Sequence, residues 1–334
     1  MVLLAALAYG DEPIALRVEN FTVPPIGGPV MLVRVQNRGE KEFHGELRVK
    51  LPDGWKLTKD AQAVTLSPGE QKRLPFAVER AAGGPTNSYP VQVVLKGGEG
   101  EIVARQQVVC ASAPFYKPEI DGDSRDWAEA IPVAFDCRGK KTTIKTHWNR
   151  EAFCLLVEVE EDRLVKHQKQ PGPEGFDAVQ VALAAEGTVT PTDPSAQAER
   201  YEFLLAADTF RDKCFQLLKP GQSVGLAVQE RPLASLATDA PKLAVKRKGT
   251  TTFYECALPF AEMPDIQPTE GREFRFSVLV HDPDGTGVRD LGAAVGLWPW
   301  QRSRLAWCSW KGVCWRDYVP FDGKIEWGLC SSRR

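Results

Sequence analysis

The sequence predicts an all-β protein made of two tandem β-sandwich domains. Short apolar runs with polar residues at alternate positions recur along the chain. The chain also contains 28 glycines and 25 prolines, which favour frequent turns over long helices. A chain of 334 residues also exceeds the size of one ordinary hydrophobic core. We therefore expect short strands arranged around two separate cores.

The charge balance and the amino terminus limit the classes of partner. The 42 basic and 44 acidic side chains nearly cancel, so the surface lacks the excess positive charge typical of nucleic-acid-binding proteins. Residues 2–8 form an apolar run that is too short to cross a bilayer. We interpret residues 1–13 as a tail or the remnant of an export signal. We expect no membrane span, and a secreted, periplasmic or cell-surface location.

Residues 14–112 show the pattern of the first sandwich. The sequences Pro52-Asp53-Gly54 and Ser67-Pro68-Gly69 are typical of turns between strands. The clearest predicted strands lie at residues 14–18, 30–35, 45–51, 73–78, 89–95 and 102–109. This succession resembles the immunoglobulin-like modules that accompany catalytic and sugar-binding domains in bacterial glycosidases. The resemblance implies a spacer, with Trp55 in packing contacts, followed by a linker at residues 113–117.

The stretch from Pro118 to Trp127 marks the start of the second domain, which we place at residues 118–334. Its sequence Ile120-Asp121-Gly122-Asp123 predicts a strand start followed by a tight turn. With Trp127 after it, the motif resembles the opening of the family 9 carbohydrate-binding modules. That resemblance implies that the Asp-Gly turn begins the sandwich and that Trp127 packs beneath it.

The second domain has further strand patterns. The predicted strands lie at residues 141–148, 153–160, 176–183, 201–206, 253–260 and 274–280. In the strand at 153–160, apolar residues at every second position predict one buried face. The hairpin formed by the strands at 141–148 and 153–160 resembles the Trp-Asp-x-x-x-Leu-Tyr segment of the family, with Trp148 as its tryptophan. The strand at 176–183 resembles the family's Asp-Ser-Val-Glu strand. Regions 184–199 and 219–241 are interpreted as exposed loops.

The carboxyl end has the most unusual composition, with six of the nine tryptophans in the last 37 residues. The sequence Trp315-Arg316-Asp317 resembles the closing segment of the family 9 modules, in which a tryptophan forms one wall of the sugar slot. The other candidate sugar contacts in this domain are Trp298, Trp300, Trp310, Arg316 and Gln180. Glu174 stands where the family has its second tryptophan, so a slot with two aromatic walls is not assured, and Trp298, Trp300 and Trp310 are the candidates for the second wall.

These features predict a protein that binds carbohydrate without catalysis. Sugars present weakly apolar C–H faces that stack on aromatic rings, and polar side chains fix their hydroxyls. The sequence contains no His-Glu-x-x-His, Gly-x-Ser-x-Gly or P-loop motif. The expected partner is a polysaccharide or oligosaccharide, with a glycosidase or a cell-surface structure alongside.

Two acidic turns offer oxygen ligands of the calcium type. The first contains Asp282, Asp284 and Asp290, which we take as the candidate metal ligands. The second contains Asp121, Asp123 and Asp126. Neither has the spacing of an EF-hand, and solvated aspartates in turns are the alternative interpretation.

Two other functions stay open. Relatives of this sandwich include haem-binding electron-transfer domains, and Met263 with His167, His281 or a lysine would be the ligands here. In the second alternative, the sugar site is lost and the domain serves adhesion or assembly.

The eight cysteines leave the disulfide pattern undetermined. None forms a Cys-x-x-Cys pair, which argues against a zinc site. Cys256 is predicted to be buried, and a bridge among Cys308, Cys314 and Cys330 is a further expectation.

Overall fold

The computed structural model describes residues 13–84, 86–98, 100–168, 175–185, 200–222, 229–231, 233–266, 269, 272, 274–291 and 313–315. Within these residues the chain is built of β-strands, with four single-turn 3-10 helices at Pro25–Gly27, Ser124–Trp127, Leu233–Leu236 and Phe260–Glu262. The predicted all-β class is confirmed. No helix in the described part of the chain is long and apolar enough to cross a membrane.

The first sandwich consists of two four-stranded sheets. Its strands are β1 (Ile14–Val18), β2 (Val30–Asn37), β3 (Phe43–Lys50), β4 (Lys56–Leu57), β5 (Ala61–Leu66), β6 (Gln71–Arg80), β7 (Ser88–Gly97) and β8 (Gly100–Val109). One sheet has the strand order β1-β2-β6-β4 and the other β5-β3-β7-β8. All their strand pairs are antiparallel.

The core of this sandwich forms because apolar residues alternate along the strands and point between the sheets. In β2, Met31, Val33 and Val35 are fully buried, and Leu47 and Val49 of β3 face them from the other sheet. Trp55 packs against the same core, beside the rings of Phe21 and Tyr89.

The segment between the sandwiches is paired with both. The Ala111 N–H donates to the Phe21 carbonyl, and the Tyr116 N–H donates to the carbonyl of Trp148. Ala111 and Ala113 are buried in the core of the second sandwich. Asn87 of the first sandwich donates from Nδ2 to the carbonyl of Pro132 at 2.9 Å. The exact domain boundaries stay a prediction.

The second sandwich contains a five-stranded and a six-stranded sheet. Its strands are β9 (Val133–Cys137), β10 (Lys140–Trp148), β11 (Ala152–Glu160), β12 (Ala178–Ala185), β13 (Tyr201–Ala206), β14 (Lys213–Leu218), β15 (Gln229–Arg231), β16 (Ala237–Thr238), β17 (Lys242–Lys248), β18 (Thr251–Pro259), β19 (Phe274–Asp282), β20 (Gly287–Asp290) and β21 (Val313–Trp315). The sheet orders are β17-β18-β11-β10-β9 and β16-β14-β13-β12-β19-β20, while β15 pairs with β21.

The main core lies between these two sheets. Leu155 and Val157 of β11 meet Val179 and Val181 of β12 and Phe203 of β13 within one apolar cluster. Cys256 is fully buried there, as predicted. Among the described residues, Cys110, Cys137, Cys154, Cys214 and Cys256 are free thiols.

The prediction of a single buried face on the strand at 153–160 is wrong. The opposite face of β11, at Ala152, Cys154 and Leu156, is also buried, because Trp127 and Ala130 pack over it. Trp127 is fully enclosed, in agreement with its predicted position beneath the Asp-Gly turn. The stretch at 118–127 thus caps the outer face of the five-stranded sheet.

The interpretation of region 219–241 as a loop is wrong in part. Strands β15 and β16 and the 3-10 turn Leu233–Leu236 lie within it. Their short lengths and weak apolar pattern explain why the sequence did not indicate them. The first predicted loop, 184–199, begins too early, because Ala184 and Ala185 end β12. Residues 1–12 and 186–199 lie outside the described residues, so the signal remnant and the rest of that loop stay predictions.

Candidate functional site

The predicted sugar contacts divide between described and undescribed residues. Trp298, Trp300, Trp310 and Arg316 lie outside the described residues, as does Glu174. The backbone of Trp315 lies in β21 and pairs with Gln229 of β15. Gln180 is the predicted contact whose side chain the structure describes.

Gln180 lies on the outer face of the six-stranded sheet. Its neighbours Val179 and Val181 point into the core between the sheets, so the alternation of β12 directs Gln180 the opposite way. Its side chain is nevertheless 0% exposed. Buried polar groups need hydrogen-bond partners, and the residues around Gln180 supply them.

Four polar side chains on this face form a hydrogen-bonded set that we name the polar row: Gln180, Arg200, Glu202 and His281. The Gln180 Nε2 donates to Glu202 Oε2 at 3.0 Å, and the Arg200 Nε donates to Glu202 Oε1 at 2.5 Å. The His281 Nε2 lies 2.9 Å from Gln180 Oε1, which only accepts, so the proton is on Nε2. All four residues are buried.

The histidine of the polar row is neutral at pH 7. Burial lowers the pKa of His281 from 6.5 to about 4, because the imidazolium ion loses its hydration in the interior. The imidazole therefore serves as a neutral hydrogen-bonding group beside the amide of Gln180.

Apolar clusters border the polar row on both sides. One contains Ala178, Leu204 and Ala206 together with Phe176 and Phe215, and the other contains Ala182, Ala184 and Leu279. The strand register places Ala178 opposite His281 and Ala182 opposite Glu202. Alanines thus lie directly opposite two of the polar groups, and larger apolar side chains lie beyond them.

The sequence analysis identified Gln180 but not its partners. Glu202 and His281 are polar residues within otherwise apolar strands. This was the signal that the sequence offered, because an isolated polar residue on a buried strand requires a hydrogen-bond partner. Their mutual contacts follow from the β12–β13 and β12–β19 pairings, which the sequence alone does not specify. The role of Gln180 as a direct sugar contact stays a prediction.

A second group of side chains, which we name the acidic cluster, consists of Asp177, Asp282 and Asp284. One carboxylate oxygen from each lies within 4.8 Å of the others. Asp177 precedes β12 and Asp282 ends β19, and the pairing of Ala178 with His281 brings these strand ends together. The cluster lies at one end of the second sandwich.

Two members of the acidic cluster have positively charged partners. Asp282 Oδ2 accepts from the Arg289 Nη2 at 2.8 Å and from the Thr286 N–H at 2.9 Å. Asp284 Oδ2 accepts from the Arg163 Nε at 2.5 Å. These contacts fix the two carboxylates at the turn between β19 and β20.

Asp177 lies in a different environment. Its Oδ2 accepts from the Val165 N–H at 2.5 Å, whereas its Oδ1 is buried without a hydrogen-bond partner in the described part of the chain. Burial is the main cause that raises the pKa of Asp177 to about 8; the carboxylates of Glu161, Asp284 and Asp282 add to the shift, and the hydrogen bond from the Val165 N–H opposes it. Burial likewise raises the pKa of Glu161 to about 7.

The predicted metal ligands are therefore brought together only in part. Asp282 and Asp284 converge, and the sequence analysis missed Asp177 as the third member. Asp290 ends β20, but its side chain lies outside the described residues.

The other acidic turn has a local structural role. Asp121 Oδ1 accepts from the Asp123 N–H at 2.8 Å, and Asp123 Oδ1 accepts from the Arg125 N–H at 3.1 Å. Asp126 Oδ2 accepts from the Glu119 N–H at 2.8 Å. These carboxylates cap the turn and the short 3-10 helix at Ser124–Trp127.

The residues named for haem ligation lie in separate places. Met263 is buried in the core between the two sheets. The ring of His167 packs against Phe176 and Phe215 on the outer face of the six-stranded sheet, and His281 is part of the polar row. Among the described residues, the sheet separates Met263 from both imidazoles, so they do not form a ligand pair.

Comparisons with known proteins give only low similarity. The chain matches no protein-family model and no curated protein. A family 9 carbohydrate-binding module from Caldicellulosiruptor kristjanssonii in complex with glucose is 15% identical, with a TM-score of 0.36 over 54% of this chain and 83% of that one. A second, with cellotriose, is 13% identical, with a TM-score of 0.39 over 67% and 94%.

A FixG-related protein from Vibrio parahaemolyticus is 17% identical, with a TM-score of 0.24 over 30% of this chain and 98% of that one. At these TM-scores the similarity to the three solved structures does not support a conclusion about function.

Proposed function

We propose that the second sandwich, residues 118–334, binds oligosaccharides or polysaccharides without chemically changing them. The observation that supports this most directly is the polar row on the outer face of the six-stranded sheet. By the family 9 resemblance, Gln180 stands in place of the family's strand glutamate and keeps the capacity to bond a hydroxyl. The family's arginine and asparagine on the next strand are replaced near Glu202 and Leu204. The glycan class is left open.

The chemistry of the polar row suits a polyhydroxylated ligand. A carboxylate accepts hydrogen bonds from hydroxyl groups, and the amide and the guanidinium group donate to hydroxyl oxygens. In the described part of the chain these side chains are buried and bonded to one another, so their role in the proposal is to fix the sheet beneath the site. Pre-positioned polar groups lose little conformational entropy when a ligand binds.

The exposed part of the proposed site is an aromatic platform. Trp315 is its first candidate, with Trp298, Trp300 and Trp310 as sources of a second ring and Arg316 beside them. An indole ring offers a flat apolar face for the C–H side of a pyranose.

The first sandwich serves as a spacer in this proposal. Its strands β1, β2 and β6 share one sheet, and β3, β7 and β8 share the other. That division corresponds to strands A, B, E and C, F, G of an immunoglobulin-type sandwich, which supports the proposed relationship. We propose a location outside the cytoplasm, next to a glycosidase or a cell-surface structure.

The test is a calorimetric titration of the full chain with the oligosaccharide that binds best on a glycan array. Trp315→Ala is expected to weaken binding by roughly fivefold or more, since loss of one stacked aromatic ring costs about 1–3 kcal/mol. Phe210→Ala is the matched control, because Phe210 is 95% exposed on the turn between β13 and β14. Unchanged affinity in Trp315→Ala would remove Trp315 as the platform.

A complete lack of glycan binding by the natural chain would overturn the proposal. That result would favour the alternative in which the sandwich serves adhesion or assembly after loss of its sugar site. A purified sample with a Soret band would favour the haem alternative instead.

A further inference from the structure

We propose that the acidic cluster, Asp177, Asp282 and Asp284, is a binding site for a divalent cation of the calcium type. The site lies at the end of the second sandwich, where the start of β12 meets the turn between β19 and β20. It is separate from the polar row, because Asp177, just before β12, and Gln180, within it, are an odd number of residues apart and so point to opposite faces of the extended chain.

The spacing of the carboxylate oxygens fits a calcium ion. One oxygen from each aspartate lies within 4.8 Å of the other two. Calcium–oxygen distances are about 2.4 Å, so two ligands on opposite sides of the ion are separated by roughly twice that distance. Three oxygens within this limit can contact one ion, and water would complete its shell of about six to eight ligands.

The unpartnered oxygen of Asp177 is an independent indication of a ligand. Asp177 is 0% exposed, and its Oδ1 has no hydrogen-bond partner in the described part of the chain. A buried carboxylate oxygen without a partner is costly, and metal coordination is one of the ways in which proteins satisfy such an atom. The same residue is a member of the acidic cluster.

The local charge balance points the same way. Arg247 contacts Glu161, Arg289 contacts Asp282 and Arg163 contacts Asp284, so three of the four neighbouring carboxylates have a guanidinium partner. Within the described residues, Asp177 has no such partner. A bound cation would supply the positive partner that Asp177 lacks there.

The ligands are held in place before any ion binds. Thr286 and Arg289 fix the carboxylate of Asp282, and the Val165 N–H fixes that of Asp177. Gly285 leaves room for the Asp282 carboxylate, because a Cβ atom at that position would lie only 2.5 Å from Asp282 Oδ1. An alanine at 285 must therefore displace a proposed ligand.

The experiment uses the full chain after EDTA treatment, titrated with calcium chloride in a calorimeter and melted with and without the ion. We expect one calcium per chain and a higher melting temperature at about 1 mM calcium, within the range of extracellular calcium modules. Magnesium is expected to have the smaller effect, because it demands a stricter octahedral shell.

Asp177→Asn tests the site directly. The amide oxygen can still accept from the Val165 N–H, so we expect a folded chain whose calcium affinity falls by roughly tenfold or more. Asp53→Asn is the matched control, because Asp53 lies in an exposed turn of the first sandwich. Gly285→Ala provides a second test and is expected to weaken calcium binding without removing a charge.

The proposal is overturned if the natural chain shows neither a heat of calcium binding nor a higher melting temperature at about 1 mM calcium. It is also overturned if Asp177→Asn and Gly285→Ala bind calcium as tightly as Asp53→Asn does, because the ion would then lie elsewhere.

Discussion

The indole Nε1 of Trp127 donates a hydrogen bond of 2.6 Å to Oε1 of Glu255 inside the second sandwich. The other oxygen of this carboxylate accepts from the backbone N–H groups of Gly122 and Asp121, at 2.6 and 2.9 Å. One buried carboxylate therefore holds both the Asp-Gly turn and the ring beneath it. Burial raises the pKa of Glu255 even though three donors favour its charged form.

Replacing Trp127 by Phe removes the indole donor and leaves Oε1 of Glu255 buried. An unsatisfied charged acceptor costs about 1–3 kcal/mol or more, so we expect at least that loss in the free energy of unfolding, measured by urea denaturation. Trp55→Phe is the control, since Trp55 packs against Phe21 and Tyr89 at the edge of the other core. Equal losses in the two variants would contradict the role of the Trp127–Glu255 bond.

Asp208 should make the free energy of unfolding depend on pH in the acidic range. Burial alone would raise its pKa, but hydrogen bonds from His167, the Phe210 N–H and Lys213 lower it from 3.8 to about 2. A lowered carboxyl pKa stabilises the fold above pH 3.8, and this stability disappears as the pH falls through about 2. The shift corresponds to roughly 2 kcal/mol.

Asp208→Asn is therefore expected to be less stable than the natural chain at neutral pH by about 2 kcal/mol. The difference between the two chains should shrink as the pH approaches 2. Urea unfolding at a series of pH values measures this, and a difference that is constant with pH would rule out the ionic role of Asp208.

Gly97 should not tolerate a side chain. It pairs with Gly45 across β7 and β3, and a Cβ atom on Gly97 would lie 2.6 Å from the ring of Phe43. Gly97→Ala must move that ring, which packs against the first core, at a cost of about 1–3 kcal/mol. Gly98→Ala is the control because nothing lies within 4 Å of its Cβ position. Similar melting temperatures for the two variants would contradict the packing of Phe43 over Gly97.

Two arginines that contact the acidic cluster should differ in how much they stabilise the fold. Arg289 is fully buried and bonds to Asp282, the Glu160 carbonyl and Thr142. Arg289→Met leaves a buried carboxylate without its cation and should destabilise the chain by about 3–5 kcal/mol. Arg163 is 63% exposed, and Arg163→Met should cost about 1 kcal/mol or less. Denaturation that ranks the variants the other way would contradict this difference.

The strands could largely be predicted from the sequence because their apolar alternation is local. The run at 201–206 matches β13, and the run at 14–18 matches β1. The buried outer face of β11 could not be predicted, because Trp127 covers it from a segment about 30 residues earlier in the chain.

The sites were harder to predict because strand pairing creates them. The sequence indicated Asp282 and Asp284, which share one turn, but Asp177 joins them only through the pairing of β12 with β19. Gln180 was indicated by resemblance, while its contacts with Glu202 and His281 depend on the pairings on both sides of β12.

The central claim is that the second sandwich binds carbohydrate, and a glycan array probed with the full chain tests it most directly. Run with and without calcium, the array should show saturable binding to at least one class of oligosaccharide or polysaccharide. Absence of binding to every glycan under both conditions would contradict the account.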